Sequence, residues 1–231
     1  MARVFDRNMF IMLLAIMVGA IIITYFIADI INRSKIEELE TEHTLEIETI
    51  EEKNINFTSH LIDSLVLLDK SREDRTSGNH HFDLAFSWYN SALSEKNSST
   101  MELYKNRVIG NCTDAMSNYL NSHQNFKIAK SFFNATKTYT TYEKYLELLD
   151  LYVNLTASGA RLTMLRYNAS KYLKYMAENL TLVNGTITYL ENVSELMDSF
   201  NETMDLYEEE SETYDEYQDE IDKYELIPEQ R

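Results

Sequence analysis

The chain has 231 residues, enough for one domain of ordinary size plus an anchor. Its 5 Gly and 1 Pro are far below average usage; both residues break helices, so their scarcity, with no period-two alternation of useful length, points to an all-α protein. A net charge of −17 without a basic stripe argues against nucleic acid as a partner, and the single cysteine, Cys112, rules out an intramolecular disulfide.

An oxidising exterior permits disulfides without requiring them. A secreted animal domain of this size commonly carries several, so an archaeal cell surface is the easier home for a cysteine-poor exported helical domain.

Residues 9–28, MFIMLLAIMVGAIIITYFIA, carry no charge. At about 1.5 Å per residue they cover a hydrocarbon core of about 30 Å. Asp29 marks the exit, followed by Ile30 and Ile31. The run is longer than the usual signal-peptide core of about 7–15 residues, and no A-x-A-like cleavage site follows it. A retained transmembrane helix is therefore expected over 9–31, with the lipid bilayer as partner and a short tail, 1–8, before it. Arg3 and Arg7 precede the span and Arg33 and Lys35 follow it. The positive-inside rule thus leans only slightly towards a cytoplasmic N-terminus.

Asparagine triplets supply the direction. N-x-S/T occurs at Asn32, Asn56, Asn97, Asn111, Asn134, Asn154, Asn168, Asn179, Asn184, Asn192 and Asn201, eleven in all. Nineteen Asn in a chain with 18 Ser and 19 Thr would give about three by chance. Read as N-glycosylation acceptors, they put the C-terminal part outside the cell. Asn32 stands too near the bilayer to be modified; the other ten are the candidate sites.

After the span, Ile36, Leu39, His43, Ile47, Ile50, Asn54, Phe57 and Leu61 follow a 3/4 spacing that Leu65 and Leu68 continue. This predicts a long amphipathic helix, a stalk over 32–75. His43 and Asn54 interrupt the stripe, where polar residues commonly set register.

Turn-forming residues then predict breaks at 75–80, 95–100, 121–125, 138–141, 156–160 and 183–186. Ser99 with Glu102, and Thr140 with Glu143, have capping-box spacing. Helices of about 14–23 residues between short breaks imply antiparallel hairpins over 76–183. Two stretches in this region, HFDLAFSWYNSAL at 81–93 and NFKIAKSFFNATK at 125–137, resemble the second helix of a tetratricopeptide repeat. Ala85, Tyr89 and Ala92, then Ala129, Phe133 and Thr136, take the motif's small, aromatic and small positions. Met116, Ser117 and Leu120 match its first helix. The interval of 44 residues departs from the family's spacing, the usual proline is missing, and there is no third copy. An ordinary bundle with Ala and aromatics in its core accounts for the same residues. The resemblance implies a partner-binding scaffold and no chemistry.

The last segment, 184–231, carries Val193, Phe200, Tyr207, Tyr214 and Ile221 at seven-residue spacing, with Leu190, Met197 and Met204 as a second row. A coiled-coil-like acidic helix is expected. Residues 191–231 hold 16 acids and two bases, while 54–190 hold 12 acids and 14 bases. The run 208–225 reads as a solvated face, as a dock for a basic partner or the chain's own middle, or as a loose calcium site. No EF-hand loop is present to support calcium.

The sequence holds no H-E-x-x-H, no G-x-S-x-G, no phosphate-binding glycine loop and no Cys pair. His80, His81 and Asp83 are the nearest approach to a metal cluster, but adjacent helical residues diverge. Cys112 reads as a small, partly buried residue, with an intermolecular disulfide as the alternative. Trp88, Tyr89 and Phe86 read as core. No catalytic residue, cofactor or metal is expected. The expected function is a single-pass, glycosylated, extracytoplasmic helical scaffold contacting other envelope or membrane proteins, or further copies of itself. The alternative is an accessory ectodomain that senses or presents a small ligand through a partner membrane protein.

Overall fold

With the only proline at position 228, nothing in the chain before it forces a helix to end. The computed structural model describes residues 7–224; within the first helix the side chains described are those of Tyr25 and of Asp29 onward. The helices are few and long. They are α1 (Arg7–Ser94), α2 (Ser98–Thr136), α3 (Glu143–Glu178) and α4 (Ser194–Asp222). A 3-10 turn, Lys137–Tyr139, follows α2, and a hairpin of β1 (Leu180–Val183) and β2 (Thr186–Tyr189) joins α3 to α4.

Among the described residues no helix is long and apolar enough to cross a membrane. The side chains of 9–24 and 26–28, on which the expected anchor rests, lie outside the described residues, as does the tail before Arg7.

The chain divides into two units, Met1–Asn54 and Ile55–Arg231. In the first, every described side chain from Ile30 to Asn54 is exposed. Its order is local: Thr41, Thr44 and Thr49 donate to carbonyls four residues back, each at 2.7 Å, and Arg33 pairs with Asp29 at 3.1 Å.

The second unit is an antiparallel four-helix bundle. Ser122 on α2 donates to the Ser71 carbonyl on α1 at 2.7 Å. Phe133 on α2 stacks on Tyr152 on α3 with centroids 4.8 Å apart. Arg161 on α3 pairs with Glu210 on α4 at 2.7 Å. Phe200 on α4 stacks on Phe86 on α1 at 6.1 Å, which closes the ring of helices. One apolar cluster gathers Phe82, Ala85, Tyr89, Val108, Leu173 and Val193. The other gathers Leu68, Phe126, Phe133, Leu149, Leu155 and Tyr214. Each fully buried large side chain is worth about 1.5–3 kcal/mol relative to exposure.

A polar layer also crosses the bundle. Tyr119 donates to Asn79 Oδ1 at 2.8 Å. Arg75 lies 4.3 Å over the Tyr214 ring. Arg166 lies over both Phe82 (4.6 Å) and Tyr207 (4.0 Å), and its buried Nε has no hydrogen-bond partner.

Several expectations need correction. Three predicted breaks, at 75–80, 121–125 and 156–160, lie inside continuous helices. Two of them contain glycines that serve close packing. A Cβ on Gly78 would meet the Tyr119 ring at 2.7 Å, and one on Gly159 would meet the Phe126 ring at 2.6 Å. Because α2 runs unbroken, Met116, Ser117 and Leu120 share one helix with 125–137, and no tetratricopeptide turn separates them. Ala85, Tyr89 and Ala92 pack in the first cluster, whereas Ala129 and Phe133 pack in the second. What stands is helix-hairpin packing in general.

The capping boxes are absent too. Asn97 caps α2, its Oδ1 accepting the Thr100 N–H at 3.1 Å. α3 begins after Tyr142 without a side-chain cap, and Thr140 Oγ1 accepts the Tyr142 N–H instead. The turn at 183–186 is real, but strands flank it. Asn184 (φ 51°) and Gly185 (φ 79°) are both left-handed, as a two-residue hairpin turn requires. In the second row, Met204 packs against the first cluster as expected, but Leu190, ahead of α4, and Met197 are exposed, while Leu196 packs against that cluster and Thr203 is buried.

The glycines give a direct test. Gly110 in α2 is exposed on an open side of the helix, and a Cβ added there would meet nothing within 4 Å. Gly110→Ala should therefore stabilise by about 0.5–1 kcal/mol through helix propensity alone. Gly159→Ala and Gly78→Ala gain the same propensity but drive a methyl into a buried ring. Each should destabilise by a net ~1–3 kcal/mol, read as a lower midpoint in urea denaturation with an unchanged slope.

Candidate functional site

The triplet asparagines divide simply. Asn32, Asn97, Asn134, Asn154, Asn184, Asn192 and Asn201 are exposed; Asn56, Asn111, Asn168 and Asn179 are half-buried; none is buried. The reason is local geometry. On α4, Asn201 follows Phe200 and falls outside the packed stripe. Asn184 occupies the hairpin turn, where its φ of 51° is one that Asn tolerates. Asn97 and Asn192 use their Oδ1 to accept backbone N–H groups, at 3.1 Å in both cases, which leaves Nδ2 outward. Asn111 and Asn179 instead donate Nδ2 to carbonyls four residues back, at 2.9 and 3.0 Å.

Two open grooves meet at Arg161 and Met164. One, of about 380 Å³, runs between α3 and α4 over Leu165 and Leu206, with Asn168 and Thr213 at its rim. The other, of about 390 Å³, runs between α2 and α3 and gathers His123, Lys127 and Lys130 over Ala157 and Ala160. Arg161 is held by Glu210 through two hydrogen bonds, at 2.7 and 2.8 Å. Buried Ser158 donates to the same carboxylate at 2.5 Å. Burial pushes the Glu210 carboxyl up, but the bonds from Arg161 and Ser158 outweigh it and hold it below the usual range. Sequence reasoning missed this trio. The available signal was that Glu210 lies three residues after Tyr207, on the inner edge of its heptad.

Elsewhere in the acidic stretch, Glu208, Glu209, Glu212, Asp215, Glu216, Asp219 and Glu220 lie on α4 and, Glu212 and Asp215 among them, face solvent. Glu210 is the acid that turns to the chain's middle. Among the described residues no group of three or more His, Cys, Asp or Glu could hold a metal ion. His80 is exposed, and His81 turns to Asn111, Nδ1 to Oδ1 at 3.2 Å. Cys112 is fully buried in the first cluster, and burial pushes its thiol up to about 12. A buried, protonated thiol neither attacks substrates nor reaches a second chain, so the intermolecular disulfide has no accessible sulfur. Tyr89 is core, but Phe86 is exposed and Trp88 is half-buried, stacked on Tyr104 at 5.3 Å beneath Arg107.

Glu210→Gln should cost about 1 kcal/mol at pH 7, since Arg161 is half-exposed and the pair is partly screened. A carboxyl with a lowered folded pKa stabilises above its unfolded value of about 4.3, and this contribution is lost as pH falls through the folded value. Urea midpoints should therefore separate the two proteins at pH 7 and converge by pH 2.

No protein family, curated protein or solved structure matches this chain.

Proposed function

We propose that the chain is a membrane-anchored, N-glycosylated scaffold whose helical bundle stands outside the cell and makes protein–protein contacts there. The apolar run 9–28 is the anchor in this proposal and the preceding tail is cytoplasmic. The single observation that carries it is the placement of the acceptors: eleven triplets, about three expected by chance, with none of the ten acceptor Asn of the second unit buried although that unit buries many other side chains. A bundle filled by aromatic rings, with its one thiol sealed in the core, favours contact over catalysis. Other envelope or membrane proteins are the proposed partners. No metal or cofactor enters the proposal.

Intact-mass and peptide mapping of protein taken from native membranes tests it. Glycan is expected on the exposed acceptors Asn134, Asn154, Asn184 and Asn201, and glycosidase release should convert them to Asp. Unmodified Asn at all four would overturn the orientation. Protease added to intact cells should in addition cleave within residues 55–224 and spare the first residues.

A further inference from the structure

The most unusual feature left over is the apolar stripe of the first unit. Ile36, Leu39, Ile47 and Ile50 are each more than half exposed. The same 3/4 spacing later in α1 places Phe57, Leu61 and Leu68 against the second cluster of the bundle. One amphipathic pattern is therefore covered in one unit and bare in the other. A bare aliphatic stripe of about four turns marks an interaction surface.

Charge decides what covers it. At about 100° per residue, Glu40 and Glu51 line one edge of the stripe, and Glu42 and Glu46 line the other. Residues 33–53 carry eight acids and three bases, a net −5. Pairing with a second copy would bring two such segments together. In a parallel, in-register pair it would set Glu46 beside Glu51 of the other chain. A partner with the opposite charge meets none of this repulsion.

We propose that residues 36–50 dock a basic amphipathic helix of another protein, with aliphatic residues at its seam and Lys or Arg along both edges. The inference rests on the scaffold reading above and names the chemistry of its partner. Its test needs only purified full-length chain, so it is separable from the glycan test.

The probes are two fluorescent synthetic helices of equal length with the same Ile/Leu seam, one edged with Lys and the other with Glu. Anisotropy titration of the full chain in detergent micelles should show the Lys helix binding at least ten-fold tighter than the Glu helix. Leu39→Asp with Ile47→Asp should weaken it at least ten-fold. Both positions are exposed, so helicity by circular dichroism should not change. Glu40→Lys, Glu46→Lys and Glu51→Lys together should reverse the preference, while Glu212→Lys with Asp215→Lys on α4 should leave it intact. Three results would overturn the proposal. The first is Lys-helix binding that survives the stripe substitutions. The second is binding abolished by the α4 changes. The third is full chain that self-associates through the stripe, sedimenting as a dimer that Leu39→Asp converts to monomer.

Discussion

Two aromatic rings lying directly on helix backbone set the spacing of the bundle. Tyr119 and Phe126 stand seven residues apart on one face of α2, both without solvent exposure. Tyr119 rests where Gly78 of α1 has no Cβ, and Phe126 where Gly159 of α3 has none. A ring that fills the place of a side chain lets the helices approach closely while still occupying the groove. The helix in the middle of the sequence therefore fixes the positions of the helices before and after it. That spacing brings the hydroxyl of Tyr119 within 2.8 Å of Asn79 Oδ1.

α4 is seated by a different chemistry. Its buried row is largely aromatic, and arginines from two other helices address it. Arg72 donates to the Tyr214 hydroxyl at 3.0 Å and also reaches Gln218 one turn away, which fixes α4 along the axis of α1. Arg75 and Arg166 lie over ring faces. Guanidinium groups over rings recover part of their lost hydration through cation–π attraction and the packing of their stems. Apolar contact alone would hold α4 in place but would tolerate sliding by a turn. The arginines and the Glu210 pair make one register better than its neighbours.

The coarse fold is legible because composition speaks for it directly: few breakers, long 3/4 patterns and a heptad aromatic row predict packed antiparallel helices. The departures share one cause. Local propensity makes Gly, Asn and Ser turn signals, but Gly78, Gly159 and Ser122 occupy helix interiors because a ring or a carbonyl from another helix needs their small size. That need is tertiary and leaves no local mark. The exposure of Met197 in the second row of α4 has a similar origin. Met197 is more apolar than Thr203, yet the geometry of the neighbouring helices buries the threonine. The hairpin, in contrast, is readable. Leu180 and Leu182, then Asn184-Gly185, then Ile187 and Tyr189 form an alternating pattern about a two-residue turn. The surrounding helical patterns mask it. Of the candidate site, the acceptor positions are visible as triplets, while the grooves around Arg161 require the fold.

The distribution of those acceptors bears on how the proposed scaffold would present itself. Between Asn56 and Asn97 α1 has no triplet, and α4 has none after Asn201. α1 and α4 are neighbours in the bundle. Glycans on α2, α3, the hairpin and the start of α4 would cover the remaining sides and leave the outward parts of these two helices bare. The bare side is not uniform: α1 exposes Ile62 and Val66 there, whereas α4 exposes a run of carboxylates. Hydration of those carboxylates would keep such an unglycosylated face soluble, and mutual repulsion would oppose two copies meeting across it. In the proposed scaffold, acidic surface would do on α4 what carbohydrate would do elsewhere, and it would admit a basic partner that carbohydrate would exclude.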